Sequence, residues 1–216
     1  MNQLILWGGT GQAVILEEIA QHRHYDIIAI VDNNLEVKSP IDGIKIVYKI
    51  GGLRSFLVDR DVQNINFAVS IGGDKGRDRC AIGEMLEKLG LYPITLVHPD
   101  SHVSSSSQIG KGCQILINST IAVRTFIEDY VIINSGAIVD HECIIRQGVH
   151  IGPGATLAGL VEVGNFSFIG TGAIILPRIK IGKNSVIGAG SVVTKDIPDN
   201  VIYKGNPAVF HRYNKE

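Results

Sequence analysis

A strict six-residue period of aliphatic residues runs through the second half of this chain. Counting from Val103 in steps of six, sixteen consecutive positions as far as Val193 are Val, Ile or Leu. After each of the first fifteen positions, the fourth residue is small or β-branched, with Ile179 the larger exception. An α-helix repeats every ~3.6 residues and a half-buried strand every ~2, so neither produces this pattern. A hexapeptide repeat is typical of a parallel β-helix, in which each repeat gives a short strand and a turn and three repeats close a triangular coil.

The period also predicts which side chains share a position on successive coils. The aliphatic residue and the small residue four positions later are expected to point inward, and residues 18 apart should stack about 4.8 Å apart. Glycine directly follows several aliphatic positions, as at Gly152 and Gly170, and glycine and other small residues are expected to let the chain turn the corners.

The three cysteines are widely spaced and form no Cys-x-x-Cys pair. Cys113 and Cys143 fall at small inward positions of the repeat, which indicates inert buried thiols. We therefore expect no metal site and a reducing, cytoplasmic location. A net charge of −1 with 19% charged residues argues against nucleic-acid partners, and the short apolar N-terminus argues against a membrane segment.

The first 95 residues follow a different pattern, in which apolar strand-like runs alternate with helical ones. This alternation predicts a small Rossmann-like α/β domain with a parallel sheet over residues 1–95, followed by the β-helix and its tail over residues 96–216. The predicted strands and helices are strands 4–7, 26–32 and 64–72 and helices 12–21 and 76–90.

The first strand leads into the glycine-rich loop GGTG and then a helix. Gly8, Thr10 and Gly11 are candidate substrate contacts, because glycines let a backbone approach phosphate and a helix N-terminus attracts it. Asp32 ends the next strand, where such folds place an acid on a ribose hydroxyl. The full Gly-x-Gly-x-x-Gly pattern is broken by Val14, so a simple tight turn and a nucleotide-phosphate site both stay open.

The segment VDHECIIRQGVH carries the second candidate site. The 18-residue offset stacks His141 under Gly159, which pairs a base with an accessible backbone N–H. Glu142 follows directly and would orient the imidazole. His150 lies half a coil further on, so it is either a solvated turn residue or part of a site shared between subunits of a three-fold oligomer.

With its hexapeptide run, its Asp-His-Glu segment and the later LAG and YKGNPA segments, the chain resembles the left-handed β-helix acyltransferases. The N-terminal GGTGQAVILEEIA and IVDN narrow the resemblance to the sialic-acid O-acetyltransferase and bacillosamine-type nucleotide-amino-sugar N-acetyltransferase family. That family implies a homotrimer that uses acetyl-CoA. Its members often have Gly-Gly-His in the first loop, where this chain has Thr10, Gly11 and Gln12.

The resemblance assigns roles by position. It implies that His141 is the general base, that Glu142 is its acidic neighbour and that the Gly159 amide meets the thioester carbonyl. The remaining implied contacts are Asn134 at a subunit interface, His150 near the acetyl group, Thr171 and Ala189 along the CoA backbone, and Gly8, Gly11 and Asp32 on the nucleotide-sugar.

The residues and the resemblance together predict an acetyl-CoA-dependent N-acetyltransferase of a nucleotide-linked amino sugar, and the resemblance alone implies a role in bacterial surface glycan biosynthesis. Two alternatives remain. The same His-Glu pair would serve a sugar or sialic-acid O-acetyltransferase, and a non-catalytic nucleotide-sugar-binding subunit would need no acetyl-CoA.

Overall fold

The computed structural model describes residues 2–215, which divide into two compact units. The first unit comprises the described residues up to Ile71 together with Ala81–Leu96, and the second comprises Gly72–Cys80 together with 97–215. The segment Gly72–Cys80 thus groups with the repeats, although it precedes them in the sequence. No helix within the described residues has the length and apolar character to span a membrane.

A five-stranded parallel sheet organises the first unit, which confirms the predicted α/β architecture. Its strand order is β3-β2-β1-β4-β5. The chain adds β2 and β3 on one side of β1 and then crosses over to add β4 and β5 on the other side. The strands are β1 (Asn2–Trp7), β2 (Tyr25–Asp32), β3 (Ile46–Tyr48), β4 (Ile65–Val69) and β5 (Tyr92–Pro93). The helices are α1 (Gly11–His22), α2 (Lys49–Leu57) and α3 (Gly76–Glu87), of which only the part from Ala81 onward belongs to this unit, and a 3-10 turn lies at Val62–Asn64.

Three of these elements were not predicted: β3, α2 and β5. Strand β3 has only three residues and is held by parallel pairing with β2. Helix α2 contains Gly51 and Gly52, which disfavour helix, and buries Leu53 and Leu57 as its apolar side. Tertiary packing, not local propensity, therefore fixes this part of the fold.

The second unit is a left-handed β-helix whose short strands stack on three faces; all have two residues except the last two in the chain. Face one holds β6 (Leu96–Val97), β9 (Gln114–Ile115), β12 (Ile132–Ile133), β15 (His150–Ile151), β18 (Phe168–Ile169), β21 (Val186–Ile187), β23 (Val201–Lys204) and β24 (Val209–Tyr213). Face two holds β7 (His102–Val103), β10 (Thr120–Ile121), β13 (Ile138–Val139), β16 (Thr156–Leu157), β19 (Ile174–Ile175) and β22 (Val192–Val193). Face three holds β8 (Gln108–Ile109), β11 (Phe126–Ile127), β14 (Ile144–Ile145), β17 (Glu162–Val163) and β20 (Lys180–Ile181).

The strand register follows the predicted period. From β7 to β22, successive strands of a face pair in parallel with an offset of 18 residues, as Val139 pairs with Leu157. At the end of face one, β23 pairs with β21 at an offset of 16 residues, and β24 pairs antiparallel with β23. The aliphatic and small positions both line the core, where Ala155 and Val163 are fully buried. The β-helix begins at Leu96–Val97, one repeat before the Val103 from which the period was counted.

Glycine turns some of the corners, as predicted, but larger residues turn others. The third residue after the aliphatic position takes positive φ, as in Glu142 (+56°) and Gly148 (+67°). Gly152, which directly follows an aliphatic residue, does not; a Cβ there would lie 2.6 Å from the Ile169 carbonyl oxygen on the next coil. Glycine at that position serves close approach of two coils and not a left-handed turn.

Candidate active site

His141 lies in the turn between β13 and β14, at the corner where face two meets face three. Its Nδ1 lies 3.1 Å from Glu142 Oε2, and the two side chains are 44% and 43% exposed. A carboxylate accepts, so the neutral imidazole carries its proton on Nδ1 and keeps the lone pair on Nε2. This arrangement orients the ring and leaves Nε2 able to accept a proton.

Gly159 stacks one coil beyond His141. The Leu160 N–H donates to the His141 carbonyl at 2.9 Å, which fixes the two turns against each other. A Cβ on Gly159 would overlap the imidazole at Nε2, so the ring can take this position only over a glycine. Gly159 is buried, and no hydrogen bond among residues 2–215 uses its N–H. An N–H without an acceptor in the described chain is what stabilisation of an oxyanion by this residue would require.

An open cavity of about 810 Å³ lies beside His141. Val123 and Ser105 are the residues one and two coils before His141 in the same column, and both line the cavity. The other lining residues are His102, Val103, Ser104, Thr120, Ala122 and Asp140. His141 therefore both contacts Gly159 and lines a volume large enough for a sugar.

His150 is buried on face one and makes two hydrogen bonds, so the solvated alternative is wrong. Its Nδ1 lies 3.1 Å from the Gly73 carbonyl, which only accepts, so Nδ1 donates. Its Nε2 then accepts from Asn134 Nδ2 at 3.0 Å, and Asn134 Oδ1 accepts from the Ser135 N–H at 2.8 Å. Burial and, secondly, the charge of Arg79 lower the pKa of His150 to about 4, which keeps the ring neutral near pH 7.

Two of these neighbours were missed from the sequence. Gly73 and Arg79 belong to the segment that precedes the repeats, and no six-residue period marks them. Arg79 is fully buried and donates from Nε to the Tyr130 carbonyl and from Nη2 to the Gly148 carbonyl, both at 2.8 Å. The motif Gly-Arg-Asp-Arg-Cys predicted only a helix start, so no sequence signal indicated a buried cation beside face one.

Thr171 and Ala189 occupy equivalent places on successive coils, at the corner between faces one and two. Within residues 2–215, no hydrogen bond uses the N–H of either residue. Both amides are therefore available to the carbonyl oxygens of an extended ligand. One chain does not bring this corner together with His141 and Gly159, which lie at the corner between faces two and three.

The four predicted residues of the first unit follow β1 and β2 at the carboxyl edge of the sheet. Gly8 has φ +114°, and a Cβ on it would lie 2.6 Å from the Ser70 carbonyl oxygen. Thr10 precedes α1 without a side-chain cap, and Gly11 opens the helix at a place where a Cβ would meet no heavy atom within 4 Å. The Asp32 carboxylate accepts the N–H of Gly9 and of Asn34, each at 2.8 Å, so it already shapes the loop.

The chain and its structure are similar to several known proteins. The family model for the bacterial transferase hexapeptide (six repeats) matches residues 161–195. The structure is similar to that of PerB from Caulobacter crescentus in complex with CoA and GDP-perosamine, with a TM-score of 0.88 and 32% identity over 98% of each chain. It is also similar to the acetyltransferase domain of PglB from Neisseria gonorrhoeae FA1090 in complex with acetyl coenzyme A, with a TM-score of 0.86 and 31% identity over 97% of this chain and 99% of that one.

A relative of known activity is similar in sequence over a shorter part of the chain. The GDP-perosamine N-acetyltransferase of Escherichia coli O157:H7 is 37% identical over 103 residues, or 48% of this chain. The matched region spans 46% of that protein, slightly less than half of its length.

Proposed function

This chain belongs to the hexapeptide-repeat family of sugar N-acetyltransferases, and on that basis we propose that it transfers the acetyl group of acetyl-CoA to the amine of a nucleotide-linked amino sugar. One observation carries the proposal: the His141 ring packs against Gly159, whose N–H has no acceptor within residues 2–215, and His141 also lines an open cavity. The relatives support it, since PerB was crystallised with CoA and GDP-perosamine and the PglB domain with acetyl coenzyme A.

His141 acts as the general base in the proposed reaction. A thioester supplies an already activated acyl carbon, so neither a metal nor a covalent enzyme adduct is needed. As the neutral amine forms its bond to that carbon, Nε2 takes an N–H proton, and Glu142 stabilises the resulting imidazolium. His141 then returns the proton to the departing sulfur, so the C–S bond breaks and CoA leaves as a thiol. The Gly159 N–H stabilises the carbonyl oxygen while it is negative.

We propose that the backbone N–H groups of Thr171 and Ala189, together with the neutral His150, bind acetyl-CoA. Thr171 and Ala189 lie one coil apart in the same column, and neither N–H is used within residues 2–215. Two such donors could each bind one amide carbonyl of an extended ligand. His150 and Asn134 lie on face one as a pair of fixed hydrogen-bonding groups. For the nucleotide, we propose the loop with Gly8, Thr10 and Gly11 at the N-terminus of α1.

We propose a homotrimer. Exposed apolar side chains on faces two and three, among them Ile138, Ile174 and Phe126, give each chain a surface that a neighbour can cover. A side-by-side assembly would also let the Thr171 and Ala189 corner of one chain approach His141 of another. This explains why a single chain keeps the proposed CoA contacts and the base on different corners.

We further propose that the enzyme acts in the cytoplasm, in the synthesis of a surface polysaccharide. Its three cysteines are buried as thiols, which is typical of reducing compartments. An N-acetylated nucleotide-sugar is an activated donor, so a glycosyl-transfer reaction would consume the product.

Release of CoA thiol tests the proposal directly. The enzyme is supplied with acetyl-CoA and, in turn, UDP-, dTDP- and GDP-linked amino sugars, with His141→Ala in parallel. We expect rapid release with one of these sugars. His141→Ala should lower kcat about 10²–10⁴-fold and change KM much less, since a general base acts in the transition state.

His211→Ala is the matched control, since His211 is exposed in β24, and it should keep wild-type turnover. Near-wild-type turnover by His141→Ala would rule out the base. Release with hydroxylated acceptors alone would indicate O-acetylation, and no release with any acceptor would favour a binding subunit.

A further inference from the structure

We propose that Asp140 binds the acceptor amine in its protonated form and so makes the cavity beside His141 selective for amines over hydroxyls. This inference rests on the proposed acetyl transfer to an amino sugar, and it assigns the choice between N- and O-acetylation to one residue. The cavity, the column of side chains around Asp140 and the charge of the lining residues support it.

Asp140 stands in a column of small side chains that opens the cavity around it. It directly follows β13, and the equivalent residues on neighbouring coils are Ser104 and Ala122 before it and Ala158 after it. Ser104 and Ala122 line the cavity together with Asp140. Since neither neighbour extends further than a hydroxymethyl group, the carboxylate reaches a space that a larger neighbour would fill.

Hydrogen bonds hold Asp140 in place and use only one of its two carboxylate oxygens within the described residues. Its backbone N–H donates to the Leu157 carbonyl at 3.0 Å, and its carbonyl accepts from Thr125 Oγ1 at 3.0 Å. Oδ1 accepts the His141 N–H at 2.7 Å, which ties the carboxylate to the base. Within residues 2–215, no hydrogen bond uses Oδ2. The second oxygen is therefore free to accept from a ligand close to His141.

The cavity lining favours a cation. Of the described residues that line it, Asp140 is the one acid, and none is Lys or Arg. The other titratable side chains of the lining are the imidazoles of His102 and His141. Glu142 already accepts from His141 Nδ1 and is not part of the lining. A bound ammonium group would thus meet one uncompensated carboxylate.

An amine acceptor needs such a partner, whereas a hydroxyl does not. Amines of this kind are largely protonated near neutral pH, since even an α-amino group has a pKa of about 8. A carboxylate forms a charge-assisted hydrogen bond to ammonium, which is roughly twice as strong as the bond it forms to a neutral hydroxyl. Binding through Asp140 brings the nitrogen close to Nε2 of His141, where loss of a proton to solvent yields the nucleophile.

Binding without turnover measures this selectivity. The probes are GDP-perosamine and the GDP-sugar in which a hydroxyl replaces its amine, titrated by calorimetry in the absence of acetyl-CoA. The wild type should bind the amine about tenfold more tightly, as one charge-assisted hydrogen bond at a half-exposed site would give. Asp140→Asn should bring the two Kd values within about twofold of each other, because Asn keeps the Oδ1 acceptor for His141 and removes only the charge.

Three variants separate this role from a structural one. Asp140→Glu retains the charge and should retain the preference for the amine. Asp59→Asn removes an exposed carboxylate that belongs to the first unit and is distant in sequence from Asp140, so it should leave both Kd values unchanged. Glu142→Gln should lower kcat while leaving the ratio of the two Kd values intact, because Glu142 acts on the base.

An unchanged ratio in Asp140→Asn would overturn the proposal, as would a folded Asp140→Glu that behaves like Asp140→Asn, or a wild type that binds neither sugar. If Asp140→Asn fails to bind CoA and is therefore misfolded, Asp140→Glu decides the question. A preference for the amine that depends on Asp140, without thiol release by the wild type, would refute the proposed acetyl transfer and leave this inference standing.

Discussion

At the scale of single residues, His150 shows how the fold fixes a protonation state. Two oriented partners define its neutral tautomer: the Gly73 carbonyl accepts from Nδ1 and the Asn134 amide donates to Nε2. A protonated ring would have two donors, so it would lose the bond from Asn134 and would also face the buried charge of Arg79. His150 therefore serves as a fixed hydrogen-bonding group and not as a proton carrier.

This state predicts a specific loss of stability in acid. The pKa of His150 is about 4 in the folded chain against an ordinary 6.5, so the unfolded chain binds the proton first as the pH falls. Its contribution is fully present above pH 6.5, declines from 6.5 to about 4 and is exhausted below that. The loss amounts to about 3 kcal/mol of unfolding free energy. Urea unfolding at pH 7 and pH 4 measures it.

The matched comparison is His150→Gln, which lacks the titrating ring. The variant should be less stable than the wild type at pH 7, because it disturbs two buried hydrogen bonds. Its loss of stability between pH 7 and pH 4 should be smaller than that of the wild type by about the same 3 kcal/mol. Equal losses in the two proteins would show that His150 does not titrate as described.

Residue positions were predicted from the sequence only where the repeat governs them. The 18-residue offset predicted that Gly159 stacks on His141, and adjacency suggested the contact between Glu142 and the ring. The surroundings of His150 could not be predicted, because Gly73 and Arg79 come from a segment outside the period. The free oxygen of Asp140 was missed as well, since its significance depends on a cavity formed by three coils.

At the scale of elements, too, the repeat could be predicted from the sequence and the parts outside it could not. The strands β7 to β22 have only two residues each and little intrinsic preference, yet they were predicted because the core repeats in the same way on every coil, whereas β6, β23 and β24 lie outside the counted period and were not predicted. In the first unit, α2 was missed because Gly51 and Gly52 hide its helical pattern. Periodic packing leaves a signal in the sequence, whereas a single tertiary contact does not.

The narrow core of the β-helix makes small inward positions intolerant of larger side chains. Ala155 is fully buried on the inner side of the coil, and its neighbour Thr156 begins β16 with its side chain outward and half-buried. We expect Ala155→Leu to lower the unfolding free energy by about 1–3 kcal/mol or more, because overpacking forces strained rotamers. Thr156→Leu adds similar bulk outside and should change stability by less than about 1 kcal/mol. Denaturant unfolding measures the loss of unfolding free energy in both variants. Equal losses would contradict the assignment of Ala155 to the inside of the coil and Thr156 to the outside.

At the scale of the whole molecule, the outer faces of the β-helix connect assembly to activity. Ile138 and Ile174 project from face two, 42% and 45% exposed, on either side of Thr156. In the proposed trimer a neighbouring chain covers such side chains and completes the acetyl-CoA groove. Assembly and turnover should therefore be lost together when this face is charged.

The double variant Ile138→Lys with Ile174→Lys tests this link. Two ammonium groups placed in an apolar contact cost more than the contact gains, so sedimentation should show the mass falling from three chains to one. Thiol release with acetyl-CoA should fall at least tenfold in parallel, while circular dichroism stays unchanged because both side chains lie outside the core. Val58→Lys, at a 75% exposed position of the first unit, should keep the wild-type mass and rate. A wild type that sediments as an active single chain would refute the trimer, and a variant of unchanged mass would show that face two lies outside the interface.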